Sequence, residues 1–119
     1  MTARLLFCGA LLVAGVLIGR MTAAQPAGSP PVEQELLNND SVRIVRVTYP
    51  PGADSDLHLN VGPEITIVQD GELVLYARGE RQALGPADAH WLPEATAHLA
   101  RNESARPARF WSILLKRCD

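Results

Sequence analysis

Beyond residue 40 the chain alternates apolar and polar positions in short pieces, each cut off by turn-forming residues. Val42-Arg43-Ile44-Val45-Arg46-Val47-Thr48-Tyr49 is rich in β-branched residues and stops at Pro50-Pro51, the pattern of a half-buried strand ended by proline. Two further apolar runs, residues 64–69 and 72–77, flank Asp70-Gly71. An Asp-Gly pair between apolar runs predicts a hairpin, because both turn positions favour positive φ. Arg78-Gly79-Glu80-Arg81 reads as a second turn, followed by a short run at 82–84 and a break at Gly85-Pro86. Residues 89–92 form a strand that Pro93 stops, the pattern resumes over 98–102, and 103–107 is a polar loop. The last strand is predicted over 109–116. Residues 32–40 suit either one helical turn or an edge strand. Many short strands with turns about every ten residues predict an all-β sandwich or small barrel.

The N-terminus changes the picture. Arg4 precedes an apolar run from residue 5 to 18, and Thr22-Ala23-Ala24 follows. This is the layout of a secretory signal peptide over residues 1–24, cut between Ala24 and Gln25. The run is shorter than the roughly 20 residues a membrane-spanning helix needs, and Arg20 opposes deep insertion. An uncleaved N-terminal membrane anchor is the alternative. Lipid attachment at Cys8 is disfavoured, because no small residue directly precedes it. Gln25-Pro26-Ala27-Gly28-Ser29-Pro30-Pro31 reads as a tether, so residues 25–40 are a flexible linker and lead-in, and one barrel domain is expected over 41–117. The localisation expected is extracytoplasmic, periplasmic or secreted, with no membrane association after cleavage.

The whole chain of 119 residues has a net charge of −2. Residues 1–24 hold Arg4 and Arg20 and no acid, so the remainder carries −4. A mildly acidic domain lacks the basic face that phosphate contacts need, which excludes nucleic acid as a partner. Loss of Cys8 with the signal would leave Cys118 alone, so no disulfide is expected within the mature monomer.

One stretch carries candidate chemistry. Between the turn at Pro50-Pro51-Gly52 and that at Asp70-Gly71, His58 and Asn60 stand two apart, so in extended chain their side chains leave the same face. Glu64 follows the break at Val61-Gly62-Pro63, which can fold its carboxylate back beside the imidazole. His98 is the candidate for a third donor. The series Gly52, His58, Asn60, Glu64, Gly71 resembles the first conserved motif of the cupin family, with Asn60 where the family usually has a second histidine. Gly85, Pro93, His98 and Asn102 resemble its second motif, with Ala95 where the family prefers glycine and a slightly longer gap between Gly85 and Pro93. The resemblance spans roughly residues 41–117 and implies a cupin-type double-stranded β-helix, or jelly-roll barrel. It also implies a small-molecule ligand and a homodimer through an edge strand.

If His58, Asn60, Glu64 and His98 converge in that barrel, they form a site close to the two-His-one-carboxylate set that holds Fe(II). Asn60 either adds an amide oxygen or stays outside and hydrogen-bonds a bound water. The cofactor expected is a divalent ion, Mn, Fe or Zn. Replacing an imidazole by an amide should weaken binding and favour the harder ions. The competing reading is a metal-free barrel in which the histidines are satisfied by hydrogen bonds and Glu64 pairs with Arg43 or Arg46. His90 lies outside both motifs and is expected at the surface or in packing, although it could face the cavity with Leu92. Trp91 and Trp111 are expected in the core or at a dimer interface, and Arg101, Arg106 and Arg109 on a solvated face.

No serine sits in an elbow motif and no glycine-rich phosphate loop precedes a helix, so catalytic residues stay unassigned. Catalysis, if any, would fall to the metal. The expected function is a small exported barrel that binds a divalent metal, with oxygenase- or isomerase-type chemistry on a small molecule. A non-catalytic ligand-binding module, with or without metal, is the alternative.

Overall fold

The computed structural model describes residues 29–116. The signal segment, the tether up to Gly28 and Cys118 lie outside the described residues. Eight strands follow one another: β1 (Val32–Asn38), β2 (Val42–Tyr49), β3 (Glu64–Asp70), β4 (Leu73–Ala77), β5 (Glu80–Leu84), β6 (Ala89–Leu92), β7 (His98–Arg101) and β8 (Ala108–Leu115). They form a five-stranded sheet in the order β1-β2-β8-β3-β6 and a three-stranded sheet in the order β5-β4-β7. All pairings are antiparallel. The all-β, jelly-roll expectation therefore holds over the described residues.

The alternation read from the sequence decides which side chains turn inward. On β2 the buried positions are Val45, Val47 and Tyr49; on β3 they are Glu64, Thr66 and Val68. At one end the inward residues are apolar: Tyr49, Val68, Leu73, Leu84, Ala108 and Phe110 belong to the core, with Tyr49, Leu73 and Phe110 also facing the cavity. Tyr49 and Phe110 meet edge to face at 5.2 Å, a favoured aromatic geometry. At the other end the same inward rows become polar, and the sheets enclose a cavity of about 220 Å³ instead of a packed core.

Residues 32–38, left between helical turn and edge strand, form the strand. β1 lies along β2 with a bulge between Glu35 and Leu37, and all seven of its residues are exposed. Arg43 on β2 pairs with Glu35 at 2.9 Å, and Arg46 donates to the Gln34 amide oxygen at 2.6 Å. These cross-strand partners, rather than a buried face, hold the lead-in against the sheet.

The predicted Asp70-Gly71 hairpin needs correction. β3 belongs to the larger sheet and β4 to the smaller one, so this turn carries the chain across the sandwich. Only Gly71 adopts positive φ, at 77°, whereas a two-residue hairpin of this kind needs it at both positions. A Cβ on Gly71 would stand 2.3 Å from the Pro107 carbonyl oxygen, so the close approach of the β8 lead-in dictates glycine here. The true tight hairpin joins β4 to β5. Ala77 pairs with Glu80 across Arg78 and Gly79, both at positive φ. Glu80 and Arg81, read as part of that turn, already belong to β5.

Residues 50–63 run outside the named strands yet lie along β7, through bridges pairing Asp54 with Arg101 and His58 with His98. The spacing between these bridges leaves one extra residue on the loop side, a bulge-like offset of the kind found beside functional sites. Asn102 anchors the other end of this segment. It is fully buried; its side-chain amide donates to the Tyr49 and Arg106 carbonyls at 2.9 and 2.7 Å and accepts from Ser104.

Two substitutions follow from these backbone constraints. Asn102→Ala strips partners from several buried or half-buried backbone groups and should cost about 2–4 kcal/mol, read by chemical denaturation; a loss below about 1 kcal/mol would contradict the anchoring role. Ala95 sits at φ 55°, a conformation costly for any residue with a Cβ. Ala95→Gly should raise stability by about 0.5–1 kcal/mol in the same measurement.

Candidate functional site

The polar corner of the cavity is assembled from four stretches of chain. β3 starts with Glu64, whose position follows from the close seating of the residues before it. A Cβ on Gly62 would lie 1.8 Å from the Leu115 carbonyl oxygen, and Leu115 N–H donates to the Pro63 carbonyl at 3.0 Å. The segment before that break alternates as expected. His58, itself exposed, and half-buried Asn60 line the cavity, while Leu57, Leu59 and Val61 are 71%, 62% and 80% exposed. β7 supplies His98, held opposite His58 by two main-chain hydrogen bonds of 3.0 Å. β8 supplies Ser112.

Glu64 is the hub. Its Oε2 accepts a hydrogen bond from the Asn60 amide nitrogen and lies 3.6 Å from His98 Nε2. Its Oε1 accepts from Ser112 Oγ at 2.7 Å and from Thr66 Oγ1 at 3.4 Å. Neither Arg43 nor Arg46 serves it; both are spent on β1. The His58 and His98 rings meet at 4.1 Å between centroids. His58 Nδ1 lies 2.6 Å from the Asp56 carbonyl oxygen, and His98 Nδ1 lies 2.9 Å from that of Thr96. A carbonyl can only accept, so both Nδ1 atoms carry hydrogen, and in the neutral rings Nε2 is the free lone pair.

The structure thus joins Asn60, Glu64 and His98 by direct contact and sets the His58 ring against that of His98, their planes inclined at 56°. Among the described residues no hydrogen bond or ion pair links His58 to Glu64. Nor is any group of three or more His, Cys, Asp or Glu side chains among them placed to hold a metal ion.

Charge and burial compete at this corner. Burial pushes the Glu64 carboxyl up, but His98, Ser112 and Asn60 overcome it and hold the group below its ordinary value. Burial likewise opposes charging His98, and the Glu64 carboxylate together with the Thr96 carbonyl turns the balance, so its pKa is raised. Burial pushes the Tyr49 hydroxyl up to about 12, against the lowering effect of Ser55. His90 is pushed down, by burial first, with the Glu64 charge opposing.

His90, for which facing the cavity with Leu92 was the alternative to a surface or packing place, lines the cavity from β6, as Leu92 does. Thr66 and Ser112 line it as well, and the signal that could have found them is the period-two continuation from Glu64 on β3 and from Phe110 on β8. Trp91, for which the core was one expectation, is 54% exposed beside the cavity wall. Arg101 is not merely solvated: it pairs with Asp54 at 3.4 Å and lies over the Tyr76 ring at 5.7 Å.

Comparison with known proteins adds a family. The family model for the cupin domain matches residues 45–114. Among solved structures, a cupin superfamily protein from Desulfitobacterium hafniense superposes with a TM-score of 0.71 at 17% identity, over 78% of this chain and 83% of that one. KdgF from a Halomonas species gives 0.69 at 22% identity, over 80% and 86%. A predicted oxalate decarboxylase from Thermotoga maritima gives 0.68 at 22%, over 73% and 81%. At these identities the likeness is one of fold. No curated protein sequence matches this chain.

The pair of His98 and Glu64 makes stability depend on pH in a definite sense. His98, raised in the folded state, stabilises fully below the ordinary imidazole value near 6.5 and loses that contribution as pH climbs through its folded value. Glu64, lowered, stabilises above the ordinary carboxyl value of 4.5 and loses its contribution as pH falls through its folded value. Chelator-treated protein should therefore gain most from the pair between about pH 4.5 and 6.5. Denaturation midpoints across pH should show His98→Ala losing the decline above 6.5; an unchanged decline would exclude His98 as its source.

Proposed function

The chain belongs to the cupin family, and from that premise we propose that it is an exported small-molecule-binding barrel holding a divalent metal through His58, Glu64 and His98. The carrying observation is the fixed tautomer of both rings: each Nδ1–H is spent on a backbone carbonyl, which leaves Nε2 of each neutral ring free to ligate, that of His98 3.6 Å from the Glu64 carboxylate. Metal-binding histidines use this same support, with the remote ring nitrogen donating to a carbonyl. Asn60, whose amide nitrogen faces Glu64, orients the carboxylate and stays outside the donor set.

Two imidazoles and one carboxylate suit Mn(II), Fe(II) or Zn(II) and leave positions open for a further ligand. Bound there, such an ion would supply Lewis acidity to an oxygen of that ligand. This chain's own residues do the rest. Ser112 and Thr66 hold Glu64 in place through Oε1, and Val47, Leu75 and Phe110 line an apolar wall against which the body of a small molecule can pack. Oxygenase- or isomerase-type chemistry is the activity this arrangement would serve. One similar fold is a predicted oxalate decarboxylase, and its likeness does not carry that substrate to this chain.

A second reading has its own observation. Asn60, Ser112, Thr66 and His98 already satisfy and balance the Glu64 carboxylate without a cation, as a metal-free ligand-binding module would require. Elemental analysis of the natively exported protein separates the two. The metal reading expects one bound ion per chain, and at least tenfold weaker binding in His98→Ala. Parent protein that carries no stoichiometric Mn, Fe or Zn after loading would leave the metal-free module.

A further inference from the structure

Among the described residues, His90 carries a buried ring nitrogen that no group of the protein uses. It stands on β6 opposite Thr66 of β3, and Thr66 in turn pairs with Ser112 of β8. His90, Thr66 and Ser112 therefore form one row across three strands, all lining the cavity, with side chains of adjacent strands about 5 Å apart. The two hydroxyls of the row donate to Glu64. Among the described residues, His90 Nδ1 is the buried side-chain nitrogen or oxygen left without a hydrogen-bond partner. Such an atom is rare in native structures and costly to leave unpaired.

From this geometry we infer that His90 Nδ1 accepts a hydrogen bond from the hydroxyl group of a small bound molecule whose apolar body packs on Val47, Leu75, Leu92 and Phe110. The inference rests on the reading of the barrel as a small-molecule site and is independent of the metal. Burial lowers the His90 pKa, which favours the neutral ring, and a neutral ring has one acceptor nitrogen. The inference assigns that acceptor to the buried, unpartnered Nδ1 and the hydrogen to Nε2. The ligand group that meets it must donate. A hydroxyl does so, and an ether or a carboxylate does not.

Benzyl alcohol and benzyl methyl ether are a matched pair of probes, alike in their apolar ring and different in the hydroxyl. With full-length protein labelled with ¹⁵N-histidine, benzyl alcohol should shift the His90 Nδ1 resonance and bind roughly fivefold more tightly than the ether, as one net hydrogen bond implies. His90→Phe should abolish that preference. His90→Gln, which keeps an acceptor oxygen, should retain part of it. Benzyl alcohol that fails to bind, binds without moving the Nδ1 resonance, or keeps its preference in His90→Phe overturns the inference. The resonance shift is read in the parent protein, so the test survives if a variant does not fold. Metal content measured alongside keeps the two readings apart: absent metal with an intact hydroxyl preference counts against the metal reading alone.

Discussion

A carboxylate inside an apolar sandwich is the constraint to which the rest of this site answers. Glu64 starts a strand whose inward row runs through Thr66 to Val68 in a core of valine, leucine and phenylalanine, where an unpaired charge would be costly. Four side chains meet that demand: Asn60 from the loop, Thr66 from the same strand, Ser112 from β8 and His98 from β7. Each lies where it does because a separate backbone contact puts it there. Gly62 lets the chain touch β8, and the paired bonds between His58 and His98 fix the loop on β7. Neutralising one acid thus ties both sheets and the connecting loop to a single point.

The period-two alternation made most strands legible, since it reports directly which residues face inward. β2 and β6 begin and end where proline and polarity indicate. What the pattern cannot report is which strands pair. Asp70-Gly71 has the composition of a hairpin, yet its geometry answers to Pro107, some 36 residues away along the chain, and sends the chain to the other sheet. β1 was ambiguous for a related reason: an edge strand that buries none of its side chains has no alternation to read.

The site was legible to the same extent. Fixed spacing marked His58, Asn60, Glu64 and His98, and the fold brings them to one end of one cavity. Their hydrogen-bond roles were not readable, because these depend on carbonyls of Asp56 and Thr96 and on a hydroxyl of β8, none of which belongs to the motif spacing. Asn60 shows the difference. By position it stands for a donor to a metal, and by contact it is a donor to Glu64. His90 was left open between packing and the cavity because its place depends on the cross-strand row it completes with Thr66 and Ser112, a relation visible only once the strand order is known.

The cavity lining divides into two halves of unequal mechanical character. Glu64, Thr66, His90, His98 and Ser112 stand on strands paired on one or both sides. His58 and Asn60 stand on a loop whose apolar residues Leu57, Leu59 and Val61 face solvent, so burial contributes little to holding it. Main-chain bonds to β7, the anchoring by Asn102 and the packing of Gly62 on β8 carry that load instead. Segments with few buried apolar contacts open at lower free energy than the sheets they rest on. Opening of this loop would withdraw His58 and Asn60 together and leave the strand-borne half in place. Within the cavity lining, the part that yields most readily is therefore the part the core does not hold.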